Sequence, residues 1–541
     1  MLEIRTSDYK DGMTEKEAAE RCRERPGHCV YLLENGRQIY IGETHDIAVR
    51  LYQHGKDPEK IRYGFRRVHV ITGDAFSSSE AEHCENLLIT LLRVDSDLEV
   101  INPRKGNQKN DYGRKMIFEG EFDRLWLRLR EMGLVKIRDI KDVVNSKMYK
   151  YFPKAELNRE QKNVLEVILN TLDSGELAAP ARPYKNRPLV VQGDAGTGKT
   201  VLAAALFDYL KTYEPYCRKK IGFVESHTPI REAVGQVFRD TKGLRKKDAL
   251  APADITKEHY DILICDEVHK LRRNVNLYRY AKHFKAACER LGMDTSADEL
   301  DWILKQSDYQ ILFYDPAQRV SPSCIEPDSI KKRMLDEWGR YRPVVLRDQM
   351  RIKAGQGYVT YIRHVLRQAC SGAQKFSGYD LRLFDSFPEM RREIFRKEER
   401  YGLCRICTGY GWKWSGNDEK DAEDIILDGI PVKWNGRTKG WLYEENRRYE
   451  MGSVYSLHGL DLNYAGVVFG PELYFDDASG KIKLNGSSFF DKTLKRGRTE
   501  EEQLEFVLNI YGVLMSRGIE GTYVYVCDGG LRRYLKQFIP S

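Results

Sequence analysis

The sequence predicts an α/β protein in which a small α+β unit is followed by two larger α/β blocks. Its 541 residues are too many for one ordinary core and suggest roughly three domains. The first hundred or so residues contain short strand-like runs around one strong helix pattern. After Leu157, buried strand-like runs alternate with helical stretches, which is the pattern of a parallel sheet. We therefore expect domains at 1–106, 156–342 and 343–541, with a connector at 107–155.

The amino-acid composition limits the classes to which this protein can belong. Apolar residues make up 41% of the chain and charged residues 31%, and no apolar run approaches the ~18 residues of a membrane-spanning helix. The opening MLEIRTSDYKDG lacks the apolar core of a secretory leader, and the eleven cysteines lie mostly among apolar neighbours. These features favour a reduced, cytoplasmic protein without a membrane partner. The net charge of +8 permits a polyanionic partner without requiring one.

The first unit is predicted from the strand-like runs CVYLL, RQIYIGE and RRVHVIT and the helical run SEAEHCENLLITLLR. The Asn-Gly pair in ENGR favours a tight hairpin, in which the strand period of two allows Tyr31 and Tyr40 to meet. Ser79 and Glu82 have the spacing of a capping box at the helix start. Glu85 falls at the edge of the apolar stripe, where a carboxylate is either shielded for a purpose or turned toward water.

A set of side chains in this unit has the chemistry that phosphodiester hydrolysis needs. Each residue alone more often packs a hairpin or covers a surface. Together they supply groups for proton transfer, a cation for the phosphate and a carboxylate for a metal. The members of the set are Tyr31, Tyr40, Arg50, His54 and Glu85.

The order of these residues resembles the GIY-YIG endonuclease superfamily over residues 1–106. The matching features are CVY, YIG at Tyr40 to Gly42, Arg50, His54, Glu85 and a closing Asn102. The resemblance implies that Tyr31 is the general base, often through water, and that Tyr40 and His54 support the hydrogen-bond network. It also implies that Arg50 stabilises the phosphate and that Glu85 holds one divalent metal, Mg²⁺ or Mn²⁺.

Two features depart from the family pattern. Cys29 stands where the family usually has glycine. Eight residues separate Tyr31 from Tyr40, which is shorter than the commoner spacing.

The segment 107–155 is predicted as a connector. It is mainly polar and basic around one helical piece, EFDRLWLRLREMG, with glycine and asparagine at its edges. The apolar stripe of this piece can still dock on a domain.

A phosphate-binding loop is predicted at the start of the second block. GDAGTGKT follows the apolar run PLVVQ and precedes the helical VLAAALFDYL, the strand–loop–helix context that G-x-x-x-x-G-K-[ST] requires. The backbone N–H groups of the loop and the following helix start can cradle phosphates. Lys199 can neutralise the β and γ groups, and Thr200 can bind magnesium. The cofactor-binding residues are Gly193, Gly196, Gly198, Lys199 and Thr200.

Two acidic residues are expected beside this loop. DILICDEVHK places Asp266 and Glu267 at the end of a buried strand. Asp266 can hold the magnesium shell, and Glu267 can orient the attacking water.

The order of motifs from 156 to 541 resembles a superfamily 1 helicase core, which implies two RecA-like P-loop α/β domains, ATP and Mg²⁺. LNREQ resembles the adenine-sensing Q motif with Gln161, and FYDPAQRV resembles motif III with Asp315 and Gln318. LRDQMR and VLMSRGIEGTYVYV resemble the motifs that supply two arginine fingers, Arg351 and Arg517. VYSLHGLDLNYAGVV resembles motif V. The residues of these motifs resemble those of the helicase-like family related to the Schlafen group 3 helicase domain.

Other signals are given little weight. Cys404 and Cys407 form a C-x-x-C without a second pair nearby, so a zinc site is not expected. GYGWKWSG alternates aromatic and polar residues like a half-buried strand, with stacking on bases as the alternative. The basic runs KGLRKKDAL and KLRRNVNLYRYAKHFK favour solvated faces, with a nucleic-acid track as the alternative.

The sequence therefore predicts an ATP-dependent nucleic-acid enzyme that joins a metal-dependent endonuclease to a helicase-like ATPase. Bacterial defence against phage or foreign DNA is a suggestion from this architecture. DNA is the preferred partner and RNA the alternative. Two rival interpretations are an ATP-gated nuclease switch that never unwinds and a nucleic-acid-binding scaffold with an inactive nuclease.

Overall fold

The structure is a computed structural model, in which the chain divides into two compact units, Met1–Phe152 and Pro153–Ser541. The residues that it describes are 2–10, 17, 27–73, 76–102, 114–153, 157–174, 188–335, 339–355, 357–413, 425–434, 441–457 and 459–541.

The first unit contains a five-stranded, mainly antiparallel sheet. Its strands are β1 (Leu2–Asp8), β2 (Cys29–Glu34), β3 (Gln38–Thr44), β4 (Arg67–Gly73) and β5 (Glu99–Val100). Their order is β1-β4-β2-β3-β5, and β3 and β5 pair in parallel. The predicted hairpin joins β2 to β3, and alternate residues of β2 enter two different cores. Val30 and Leu32 face one core, whereas Tyr31 and Leu33 face the other.

Helices cover this sheet. They are α1 (Ile47–His54), α2 (Pro58–Ile61), α3 (Ser78–Asp95), α4 (Lys115–Glu131), α5 (Ile140–Asn145) and α6 (Lys147–Tyr151). The predicted capping box of α3 is wrong by two residues, because Ser77 is the N-cap and pairs with Glu80. The serine run offers two overlapping boxes, and the earlier one lengthens the helix by two residues.

The helix of the predicted connector packs into the first unit. Phe118, Phe122 and Trp126 of α4 are buried in the core that also contains Leu88 of α3. The Trp126 indole Nε1 donates to the Ile137 carbonyl at 2.9 Å, so its polar atom is satisfied. The apolar stripe of α4 therefore docks on the sheet unit, as the sequence allowed.

The second unit contains two parallel sheets, which confirms the α/β prediction for this part of the chain. The first sheet consists of β6 (Leu189–Gly193), β7 (Ile221–Glu225), β8 (Ala249–Leu250), β9 (Tyr260–Asp266), β10 (Ser307–Tyr314) and β11 (Val344–Leu346). The strand order is β11-β6-β10-β9-β7-β8. β11 lies just after the predicted boundary at 342/343 and pairs with β6.

Helices and 3₁₀ turns connect these strands. The helices are α7 (Arg159–Ser174), α8 (Lys199–Thr212), α9 (Thr228–Asp240), α10 (Ala281–Arg290), α11 (Glu299–Lys305) and α12 (Pro327–Arg333). The 3₁₀ turns are Tyr216–Arg218, Lys246–Asp248, Ile255–Lys257, Val268–Lys270 and Tyr278–Tyr280. Because β6, β9 and β10 are parallel neighbours, their carboxyl ends bring the phosphate-loop motif and the acidic motifs to one edge.

The second sheet has the strand order β12-β20-β17-β13-β16. Two antiparallel hairpins, β14–β15 and β18–β19, accompany it. The strands are β12 (Asp380–Phe384), β13 (Cys404–Thr408), β14 (Ile425–Leu427), β15 (Ile430–Val432), β16 (Gly452–Ser453), β17 (Leu462–Phe469), β18 (Leu473–Asp476), β19 (Lys481–Leu484) and β20 (Gly518–Val526). The helices are α13 (Gly357–Leu366), α14 (Phe387–Tyr401), α15 (Val454–Leu457), α16 (Lys492–Lys495), α17 (Glu500–Met515) and α18 (Gly529–Leu535).

The half-buried strand predicted at GYGWKWSG is wrong over 409–413. β13 ends at Thr408, and the following Gly409 lets the Tyr511 phenol approach the backbone closely enough to accept the Gly409 N–H. Residues 414–416 of this run lie outside the described residues. In the part of the chain that the structure describes, no helix combines the length and apolarity needed to cross a membrane.

Candidate functional site

The first candidate site is built around the Tyr31 phenol. Tyr31 lies on β2 directly opposite Gly42 on β3 and is fully buried. A Cβ added at Gly42 would lie 2.9 Å from Tyr31 Cε1 and nearer still to its oxygen. The ring therefore crosses β3 only because residue 42 has no side chain.

Three of the predicted partners surround this phenol. Its oxygen lies 2.7 Å from His54 Nε2 and accepts a hydrogen bond from Arg50 Nε at 3.3 Å. The Tyr40 ring centroid is 6.3 Å from that of Tyr31 and 5.5 Å from that of His54. Asp46 caps α1 and so fixes the helix that presents both Arg50 and His54. The structure thus brings together four side chains that the sequence grouped.

Electrostatics decide the protonation of this network. Burial, followed by the nearby charges of Arg50 and Lys60, lowers the pKa of His54 to about 4. Burial also raises the pKa of Tyr31 far above its usual range. At neutral pH the imidazole is therefore neutral and the phenol is protonated. The Tyr31 hydroxyl donates its proton to His54 Nε2 in the tautomer that carries the imidazole proton on Nδ1.

Glu85 lies beside these residues on α3. Burial raises the pKa of its carboxyl to about 7, the carboxylate of Glu43 adds to the rise, and the N–H that Glu43 donates to Glu85 opposes it. A carboxyl that holds its proton near neutrality suits a divalent cation, which would displace that proton. No group of three or more His, Cys, Asp or Glu side chains able to hold a metal occurs among the described residues. The donor chemistry fits one hard cation that takes its remaining oxygens from water and substrate.

Asn102 forms hydrogen bonds with the backbone of β3, the strand that contains Tyr40. Its side-chain amide accepts the Ile41 N–H at 3.0 Å and donates to the Ile41 carbonyl at 2.6 Å. Its own carbonyl accepts from Arg93 at 2.6 Å. Asn102 therefore acts on the site through the backbone of β3.

We expect Gly42→Ala to destabilise the first unit by about 1–3 kcal/mol, because the added methyl group overlaps the buried Tyr31 ring. The measurement is the unfolding midpoint of the full chain in denaturant. Gly120→Ala in α4 is the control, since nothing lies within 4 Å of a Cβ there and alanine favours helix. Equal stability of Gly42→Ala and wild type would contradict the close packing of Tyr31 on β3.

The raised pKa of Glu85 predicts a pH-dependent stability. A carboxyl that ionises near pH 7 when folded and near 4.5 when unfolded lowers the free energy of unfolding as pH rises through that window. In metal-free buffer, the free energy of unfolding of Glu85→Gln should therefore rise relative to that of wild type by ~1–2 kcal/mol between pH 5 and pH 8. This amount allows for the partial exposure of the carboxyl to solvent. Thermal melts at both pH values test this. A difference between the two proteins that does not change with pH would refute it.

The second candidate site is the phosphate loop between β6 and α8. Lys199 Nζ donates to the carbonyls of Gly193 at 2.8 Å and Asp194 at 2.9 Å, and it lies 3.6 Å from Asp315 Oδ2. Gly198 precedes the helix with a left-handed φ of 76°, which favours glycine. The lysine is held inside the loop, where it can meet an incoming phosphate.

Asp266 lies at the end of β9 beside this loop. Burial raises its pKa to about 6, the charge of Glu267 adds to the rise, and the Thr200 hydroxyl and the Lys199 ammonium oppose it. One oxygen of this carboxylate, Oδ2, is buried without a hydrogen-bond partner among the described residues. An orphaned carboxylate oxygen beside the Thr200 hydroxyl fits a magnesium ion.

Glu267 is held by two residues that the sequence did not single out. Its carboxylate lies 2.8 Å from His269 Nε2 and 3.1 Å from Lys270 Nζ, and both partners are buried. Burial opposes ionisation, but these two groups hold the pKa of Glu267 well below its usual range. The backbone of Glu267 has a left-handed φ of 55°, a conformation that costs about 1 kcal/mol or more. The carboxylate is thus ionised and fixed in position.

A chain of contacts joins the phosphate loop to the second sheet. Asp315, which meets Lys199, accepts from Gln318 Nε2 at 2.6 Å. Gln318 Oε1 in turn accepts from Arg517 at 3.4 Å. Arg517 is fully buried directly before β20, and burial followed by the charge of Arg351 lowers its pKa to about 10, so it stays charged.

Arg351 forms an ion pair with a residue directly before β17 of the second sheet. Its guanidinium forms an ion pair with Asp461 at 2.6 Å, and Asp461 belongs to the run predicted as motif V. Asp461 was not among the predicted site residues, and nothing in the sequence marks it beyond its place in that run.

Two glutamine side chains donate hydrogen bonds to backbone carbonyls of the phosphate loop. Gln161 Nε2 donates to the Gly198 carbonyl at 3.2 Å, and its Oε1 accepts the Asn158 N–H at 3.0 Å. Gln349, which the sequence analysis missed, donates to the Ala195 carbonyl at 2.8 Å and fills the space that a Cβ at Gly196 would take. Both polar ends of Gln161 are occupied, and its role toward adenine stays a prediction.

Comparison with known proteins identifies a family and similar proteins for this chain. Residues 186–528, more than half of the chain, match the family described as Schlafen group 3, DNA/RNA helicase domain. The chain is 26% identical over 438 residues to "Uncharacterized protein YPL245W" of Saccharomyces cerevisiae, which spans 73% of this chain and 93% of that protein.

Two solved structures show weaker similarity. The Pif1 helicase from Candida albicans aligns over 70% of this chain and 96% of its own, with 12% identity and a TM-score of 0.29. The Bacteroides Pif1 helicase in complex with ADP-AlF3 and ssDNA aligns over 72% and 95%, with 10% identity and a TM-score of 0.29. With scores this low, the family match alone carries the assignment.

Proposed function

Because this chain belongs to the Schlafen group 3 DNA/RNA helicase domain family, we propose that its second unit hydrolyses ATP in response to a nucleic-acid strand. The observation that carries the proposal is the contact chain Lys199, Asp315, Gln318 and Arg517. It links a phosphate loop on one sheet to a buried arginine on the other. Two RecA-like domains, predicted at 156–342 and 343–541, are part of this proposal, with the boundary moved past β11 because that strand pairs with β6.

In this proposal each group acts at a definite atom of the nucleotide. The loop N–H groups and Lys199 bind the β and γ phosphates. Thr200 and Asp266 hold magnesium, which neutralises phosphate charge when bound. Glu267 orients a water whose oxygen attacks the γ phosphorus while the bond to the bridging oxygen breaks. Arg351 and Arg517 stabilise the charge that develops, so hydrolysis depends on how the two sheets meet.

Phosphate release by the full chain with Mg²⁺ and ATP tests the ATPase proposal. Turnover is expected to rise when single-stranded DNA or RNA is added, and DNA is the preferred activator. Absence of turnover under all conditions would refute the proposal. A strand-displacement assay then separates a translocating helicase from an ATP-gated switch that never unwinds.

The tyrosine network favours a second activity in the first unit, phosphodiester cleavage of the GIY-YIG type. The supporting observation is the position of His54 Nε2, 2.7 Å from the Tyr31 oxygen, where the imidazole can take the phenol proton as the phenol takes a proton from water. Arg50 would bind the phosphate, and Glu85 would hold Mg²⁺ or Mn²⁺, which polarises the phosphate when bound.

Incubation of labelled DNA and RNA with the full chain, in Mg²⁺ or Mn²⁺ and with or without ATP, tests the nuclease proposal. Cleavage that requires the metal is expected. No cleavage of either nucleic acid would favour a binding scaffold with an inactive nuclease. A role in antiviral defence of bacteria against phage rests on the joined architecture alone.

A further inference from the structure

Lys270 is a buried cation close to the phosphate loop of the second unit. It begins the basic run KLRRNVNLYRYAKHFK, which the sequence predicted as a solvated face. For Lys270 this prediction is wrong, because only 7% of the residue is exposed. An ammonium group that leaves water needs an anion or hydrogen-bond acceptors in return. Its contacts within the protein have to supply that compensation.

Glu267 is the anion that Lys270 meets. Lys270 Nζ lies 3.1 Å from Glu267 Oε2, the oxygen that also lies 2.8 Å from His269 Nε2. Both members of this ion pair are buried, so salt screens their attraction little. The Lys270 N–H also donates to the Glu267 carbonyl at 2.8 Å in the 3₁₀ turn Val268–Lys270. The backbone and the side chain of Lys270 therefore both hold Glu267.

The Lys270 ammonium lies at an edge that is rich in carboxyl groups. Glu225 ends β7 and is in register with Asp266 at the end of β9. Glu225 Oε2 is buried without a hydrogen-bond partner among the described residues. Removal of the ammonium would leave Glu225, Asp266 and Glu267 together with one cation fewer. Repulsion among these groups would then shift the Glu267 side chain.

Lys270 also adjoins the segment that leads into the second sheet. A Cβ added at Gly459 would lie 2.9 Å from Lys270 Nζ and nearer still to the Ile230 side chain of α9. Gly459 has a left-handed φ of 82° and belongs to the run VYSLHGLDLNYAGVV, which continues into β17. The ammonium therefore touches both the carboxylate that follows β9 and the backbone that precedes β17.

We propose that Lys270 is a positioning residue, which holds the Glu267 carboxylate where it orients the attacking water and makes that position depend on the backbone at Gly459. This inference rests on the proposed ATPase, because it assigns a way in which the second sheet regulates the hydrolytic water. Arg351 and Arg517 are proposed to act on the charge of the phosphate, whereas Lys270 acts on the carboxylate. The second sheet thus has a second and separate route to the reaction.

Lys270→Met tests the positioning role, because it keeps the length of the side chain and removes the charge. ATP turnover by the full chain should fall roughly ten- to a hundredfold, as for a displaced catalytic group, while affinity for a fluorescent ATP analogue stays within about twofold of wild type. Affinity is spared because Lys199 and the loop N–H groups are unchanged. Lys270→Arg keeps the charge and should restore part of the turnover. Lys285→Met is the matched control, since its side chain is 69% exposed in a surface pair with Glu289.

Gly459→Ala tests the dependence on the second sheet. The added methyl group overlaps the place of the Lys270 ammonium, so turnover should fall in the otherwise wild-type chain. In the Lys270→Ala background the ammonium is absent, and Gly459→Ala should cause no further loss of turnover. Gly480→Ala is the matched control, because that glycine is also left-handed but nothing lies within 4 Å of a Cβ there.

Three results would overturn the inference. Turnover of Lys270→Met equal to that of wild type would show that Lys270 does not position Glu267. An equal fall in turnover and analogue affinity would place Lys270 in nucleotide binding. Additive losses from Gly459→Ala and Lys270→Ala would refute the link to the second sheet. Circular dichroism melts identify a variant that fails to fold, and the neutral but polar Lys270→Gln then replaces Lys270→Met.

Failure of the proposed ATPase gives a different result from failure of this inference. A wild type that releases no phosphate refutes the ATPase and, with it, the role of Lys270. A wild type that turns over ATP no faster than Lys270→Met refutes the role of Lys270 alone.

Discussion

Lys199→Ala and Glu267→Gln are each expected to abolish ATP turnover, with different effects on ATP binding. Lys199 Nζ is the buried cation of the loop, held by two carbonyls and by Asp315, so its loss removes phosphate affinity as well. Glu267→Gln keeps the size of the side chain and loses only the carboxylate that orients water, so binding should persist while turnover falls about a thousandfold or more. Phosphate release and binding of a fluorescent ATP analogue measure the two quantities.

Controls for this prediction lie in the segment just before β9. Glu258→Gln changes an exposed carboxylate just before β9, and Lys257→Ala removes an exposed cation. Both should turn over ATP as wild type does. Undiminished turnover in Lys199→Ala or Glu267→Gln would show that the phosphate loop is not the hydrolytic site.

Tyr31→Phe and Glu85→Gln are expected to eliminate nucleic-acid cutting while ATP turnover is unchanged. Tyr31→Phe removes one hydroxyl from a fully buried ring and so spares packing, but it breaks the contacts with His54 and Arg50. The loss of proton transfer should slow cutting by roughly a hundredfold or more. Glu85→Gln removes the charged metal ligand, so metal affinity should fall steeply.

The matched controls are Tyr52→Phe, on the same helix as His54, and Glu99→Gln at an exposed position. Rates of cutting are measured with Mg²⁺ and with Mn²⁺, and phosphate release is followed in parallel. If Tyr31→Phe and Glu85→Gln cut as well as the controls, the two tyrosines are packing residues only.

Much of the second unit was predictable because each of its functional motifs is a contiguous run of sequence. A buried strand followed by GDAGTGKT and a helix, and a second strand ending in Asp266 and Glu267, specify where the loop and acids lie. Parallel pairing of β6, β10 and β9 then brings them to one edge. Fold class and motif positions follow from local patterns of this kind.

The residues that were missed act across long stretches of chain. Gln349 reaches Ala195, and Asp461 pairs with Arg351, through contacts between elements more than a hundred residues apart. The cap of α3 was misplaced because SSSEAE contains two overlapping boxes of equal quality. Local patterns carry no information about such contacts, which depend on the packing of whole elements.

The sequence by itself determined the α/β class of the second unit, the phosphate-loop motif, and the order in which the tyrosines, arginine, histidine and glutamate of the first unit occur. Only the tertiary structure decided which side chains meet. The register of β2 on β3 puts Tyr31 over Gly42, and the fold places Arg319 and Arg498 over the Phe506 ring. Strand period and motif spacing are local properties of a chain, whereas burial, pKa shifts and ion pairing arise when distant segments exclude water from one another.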